Sequence, residues 1–109
     1  MNNRTLDRLA DTVKRSKLEE TERSELLGLL AKLQSEIDTF AKTNSHDANS
    51  IVGLAEASAN EAMRDTPRPE VLEPSIKALT YSVKTFELSH PTLVRVVNSI
   101  CMMLSDIGI

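Results

Sequence analysis

One pattern is written three times along this chain of 109 residues, and it leaves little freedom in the fold. Leu26, Leu30, Leu33, Ile37 and Phe40 follow one another at steps of four, three, four and three. Leu72, Ile76, Leu79, Val83 and Phe86 repeat those steps, and Leu93, Val97, Ile100, Leu104 and Ile107 repeat them again. Such alternation keeps side chains on one stripe of an α-helix, which turns once in about 3.6 residues. A stripe of this kind is buried against another like it, as in coiled coils and bundles. No segment alternates apolar and polar residues with period two for long enough to be a strand. The sequence predicts an all-α fold, an antiparallel helical bundle of four to five helices with coiled-coil-like 4-3-4-3 seams.

Composition agrees where it bears on this. The only aromatic residues are Phe40, Tyr81 and Phe86, so the core must come from Leu, Ile, Val, Ala and Met. Three glycines and four prolines are too few for a turn-rich sandwich or barrel. With 40% hydrophobic and 27% charged residues and a net charge of −3, the chain is too apolar to be disordered and too charged for a membrane protein. Its length suits one domain, 1–109, with helices expected at about 4–16, 21–42, 47–64, 72–88 and 91–107.

The segments differ in strength. The first has only Leu6, Leu9 and Val13, with Ala10 beside them. Thr21 is placed to cap the second helix, with Glu22 and Glu25 favourable at its positive end. The third carries a stripe of Ala48, Val52, Ala55, Ala59 and Ala62, flanked by Ile51, Leu54 and Met63. Small side chains let another helix come close but bury little area, at about 25 cal/mol per Å2, so this helix is expected to be the first to fray. TPRP, 66–69, reads as a stiff linker, and Pro74 fits the first turn of the fourth helix, where a missing N–H costs nothing.

Cys101 is the only cysteine, so no intrachain disulfide is possible, and it reads as a small buried hydrophobe rather than a reactive thiol. MNNRTLDRLADTV has no signal-peptide pattern, and the last helix is too short and too polar to span a bilayer. A reducing cytoplasm is the expected compartment.

The last segment, FELSHPTLVRVVNSICMMLSDIGI, carries the most information. Ser89 or His90 suits an N-cap, and Pro91 is pre-set for a first turn. The seam runs in register through this break, so a helix kinked at Pro91 would preserve it; the cost of an interior proline, about 3 kcal/mol, favours a hairpin instead. At the far end Gly108 suits a left-handed C′ position, with Ile109 folding back on Leu104. The helix between is apolar on more than one side. Val94, Val96, Cys101 and Met103 lie beside its main seam and are the residues expected either to complete the core or to meet a second chain.

These residues resemble a family of small bacterial proteins known as domain of unknown function 4404. That family typically ends in Phe-Glu-x-Ser-His-Pro-x-Leu followed, one helix later, by Leu-x-x-x-Gly-Ile. Here the pattern falls on Phe86, Glu87, Ser89, His90, Pro91, Leu93, Leu104, Gly108 and Ile109. The resemblance is carried by residues 74–109; residues 4–42 share only the helical pattern, and the Ala-rich helix at 48–63 looks longer than usual for the family. It implies a small helical bacterial protein and brings no activity with it.

Chemistry is sparse. Glu87 and His90 make one Glu-x-x-His, the pair that di-iron bundles use twice together with two further carboxylates. One chain has one such pair, so a metal-binding or redox protein would need a dimer; the plainer reading makes Glu87 a solvated residue and His90 a cap. Two histidines and one cysteine do not suit a structural zinc site. Ser89 next to His90 lacks a third group to form a triad, and Gly28, Gly53 and Gly108 stand alone rather than in a phosphate-binding loop. Arg4, Arg8 and Arg15 share a helix face that Asp11 partly neutralises, and no nucleic-acid binding is expected of an acidic chain without an aromatic platform. The expectation is a non-enzymatic protein, without cofactor, that works by protein–protein association. Its expected partner is another copy of itself, as a dimer, or another helical protein.

Overall fold

The computed structural model describes residues 4–109, which form five helices and no strand. They are α1 (Arg4–Lys14), α2 (Glu20–Phe40), α3 (Ser45–Ala62), α4 (Pro69–Lys84) and α5 (Pro91–Gly108). α1 packs on α2, α3 on α4 and α4 on α5 across short connections, whereas α2 and α3, also joined by a short connection, touch only slightly. α2, at 21 residues, is about 30 Å long in a molecule whose longest dimension is 37 Å.

The 4-3-4-3 stripes are the inward faces. All five positions on α2 are buried, as are Leu72, Leu79 and Val83 on α4 and Leu93, Val97, Ile100 and Leu104 on α5. Ile76, Phe86 and Ile107 complete the stripes at the edge of the same core, and Leu6, Leu9 and Val13 bring α1 to it. α5 packs on α2, α3 and α4, with α2 and α4 on either side of it and not in contact with each other.

The Ala stripe proves to be a junction. α3 packs on all four other helices, and Ala48, Ala55, Ala59 and Ala62 are each at most 2% exposed. With so little side chain between them, neighbouring helices come close from several directions. Polar contacts fasten the periphery: Arg8 on α1 pairs with Glu56 on α3 at 3.2 Å, and Arg23 donates to the carbonyls of Ser16 (3.1 Å) and Leu18 (2.6 Å). The second pair of bonds satisfies the chain where it leaves α1 and turns into α2.

Several local expectations are corrected. α2 starts one residue early, at Glu20, with Glu19 as N-cap and no side-chain cap, so Thr21 does not cap it. α4 begins at Pro69 rather than 72, because Pro69 itself takes the first-turn position; Pro74 then lies inside the helix. Gly108 has no positive φ and remains helical. A Cβ at that position would run into the Leu72 side chain and lie 3.3 Å from the Cα of Ala62, so the glycine serves close approach rather than a left-handed turn. Ile109, expected to fold back, is half exposed.

Candidate functional site at the α4–α5 hairpin

Between Lys84 and Pro91 the chain makes a tight turn whose interior is aromatic. The Phe86 ring meets Phe40 of α2 nearly edge-on, with centroids 4.8 Å apart and planes at 80°. The imidazole of His90 approaches the same phenyl at 4.9 Å and 86°. Such T-shaped contacts place the positive edge of one ring on the negative face of another. Phe40 is fully buried, so the turn is pinned to the C-terminal end of α2.

His90 is the N-cap residue of α5, yet its side chain makes no capping bond. The ring is committed to Phe40 instead. The backbone does the local work: the His90 N–H donates to the Phe86 carbonyl at 2.7 Å, and the His90 carbonyl accepts from Val94 at 3.3 Å. The Ser89 hydroxyl lies 3.0 Å from Nδ1 of His90. A serine–imidazole pair is present, but two phenyl rings orient the imidazole where a hydrolytic triad uses a carboxylate. In this arrangement Phe86, Ser89, His90, Pro91 and Leu93 hold a corner, while Glu87 and Leu88 stay in solvent, Leu88 completely.

The metal candidates part company here. His90 lies on Phe40, whereas Glu87 lines a groove between α4 and α5 together with Lys77, Tyr81 and Lys84. Among the described residues no three His, Cys, Asp or Glu side chains gather as a metal site requires. Cys101 is buried, with Thr80 Oγ1 at 3.5 Å from its sulfur. Burial pushes its thiol pKa up, and the Thr80 contact only partly opposes this, so the sulfur stays a neutral thiol.

Of the residues expected beside the α5 seam, Val94, Val96 and Cys101 are covered by the chain's own helices and Met103 is half-buried. What α5 leaves in solvent is the ridge of Arg95, Asn98, Ser99, Met102 and Asp106, with Met102 70% exposed. A groove runs along each side of the ridge. The one toward α4 holds about 420 Å3, and the one toward α2 about 320 Å3.

Sequence reasoning missed one residue entirely. Glu61 falls off the α3 stripe, yet only 6% of it is exposed. Its carboxylate accepts three bonds from Arg68: from the backbone N–H (3.1 Å), Nε (3.1 Å) and Nη2 (2.7 Å). Arg64 adds an ion pair at 3.4 Å. The side-chain bonds of Arg68 hold the Glu61 pKa down at about 2, against the opposing effect of burial. Since Arg68 is the N-cap residue of α4, this carboxylate fixes how α4 leaves α3. The available signal was an acid seven residues ahead of an arginine inside TPRP.

The chain matches a known family. The model of the domain of unknown function (DUF4404) covers residues 3–109, and so takes in the Ala-rich α3 as well as the C-terminal motif. No curated protein and no solved structure matches the chain.

Proposed function

This chain belongs to the DUF4404 family, whose role is undefined, so its function has to be argued from its own surface, and we propose that it is a non-enzymatic module that associates through its helices, first of all with itself. The observation that carries the reading is a group of the large apolar side chains left outside the core. Tyr81 is 69% exposed, Met102 70% and Leu88 100%, and all three belong to the α4–α5 hairpin. Large apolar side chains left in solvent on one hairpin offer area that association would bury. The chemistry at the corner supports the same reading, since Phe86 and His90 are engaged in packing and Cys101 is buried. The test is the molar mass of the untagged protein in solution, by light scattering across a dilution series. A mass of two chains at the higher concentrations, falling toward one on dilution, is expected. A mass of one chain at every concentration rejects self-association.

A further inference from the structure

If the protein pairs with itself, the two grooves beside α5 specify how. On one side Lys77, Tyr81 and Lys84 stand in a row at steps of four and three, all exposed, with the Lys84 ammonium 5.6 Å from the centre of the Tyr81 ring. This is a projecting aromatic ring set between two cations, with Glu87 further along the same groove. On the other side Leu29, Met102 and Met103 line a hollow of about 320 Å3, with Glu22, Glu25 and Asp106 around it. This is an apolar hollow inside an acidic rim. Each is the chemical complement of the other: a ring packs well on methionine sulfur, and lysines pair with carboxylates.

The two cannot meet within one molecule, because α5 stands between α2 and α4. Asn98 lines the first groove and its neighbour Ser99 the second, so both open beside the same exposed ridge. We infer that this face binds a second copy of the chain, Tyr81 of each protomer entering the Leu29–Met102–Met103 hollow of its partner, with Lys77 and Lys84 against Glu22, Glu25 and Asp106. A two-fold axis makes both contacts at once and closes the assembly at a dimer. Laying α4 on the partner's α4 would instead oppose the same lysines, which like-charge repulsion disfavours. The inference rests on the self-association reading and adds the surface and the pairing to it.

The test is a charge exchange. One variant carries Lys77→Glu with Lys84→Glu, the other Glu25→Lys with Asp106→Lys. All four side chains are exposed, so both variants are expected to fold, which circular dichroism checks. Sedimentation velocity of each variant alone should show dimerisation weakened about tenfold or more by like-charge opposition. Mixing the two should restore a dimer, because each new acid then faces a new base and the second contact keeps its original charges. If wild type is dimeric and each variant alone is as well, the surface is wrong while self-association stands. If both variants are monomeric and the mixture does not recover, the pairing is wrong. If wild type is a monomer throughout, self-association fails and this inference fails with it.

Discussion

The two ends of α4 are fastened by opposite kinds of chemistry. At its start, the Glu61 carboxylate gathers the backbone N–H and guanidinium of Arg68, with Arg64 beside them. At its end, Phe86 and His90 press edge-on against Phe40. The charged clamp depends on protonation state, whereas the aromatic clamp depends on packing. Both do the same job, which is to fix where α4 lies against α3 and α5, and so where Lys77, Tyr81 and Lys84 are presented. Directional bonds set the angle at which a connection leaves a helix, and buried rings supply area.

The aromatic end is where the comparison breaks most severely. Phe40→Ala removes a fully buried ring to which both Phe86 and His90 dock, and should cost about 3–5 kcal/mol in urea unfolding. A loss well below that range would mean that the corner is held by its backbone bonds instead. The charged end has a steric element of its own, since Gly108 lies against Leu72 in the first turn of α4 and Ala62 at the end of α3. Gly108→Ala should therefore destabilise by about 1–3 kcal/mol, through overpacking. By contrast Gly28→Ala, with open space around it, should stabilise by about 0.5–1 kcal/mol. The same substitution with opposite signs separates close approach from mere helix propensity.

The sequence made one of these ends readable and hid the other. Phe86 and His90 fall on an apolar stripe that runs through Pro91, and periodicity detects stripes. Glu61 lies off its stripe and carries a charge, so periodicity gives no reason to expect it buried. Its burial depends on Arg64 and Arg68 closing over it, and periodicity within one helix carries no information about partners beyond its end. Gly108 fits the same explanation. A glycine one residue from the end of a helix reads as a terminator, and only the positions of Leu72 and Ala62 show that it is there for want of a side chain. The helices and their inward faces were legible because each is encoded by neighbours within one segment. The exposed ridge of α5 was not, because which of its apolar sides faces α4 or α2 is decided by tertiary packing.

Glu61→Gln keeps the shape of the charged clamp and removes its charge. The loss at neutral pH should be the smaller effect, because Arg64 and Arg68 remain about half exposed and stay hydrated. Its signature is the dependence on pH. A carboxyl held at about 2 in the folded protein, against an ordinary 4.5, contributes stability that is fully present above pH 4.5 and lost as pH falls toward 2. The measurement that decides is therefore urea unfolding of wild type and Glu61→Gln side by side, from neutral pH down through that window. The wild-type advantage should hold above pH 4.5 and shrink steadily toward pH 2. Two curves that stay parallel through the window would contradict a charge-dependent clamp at the start of α4.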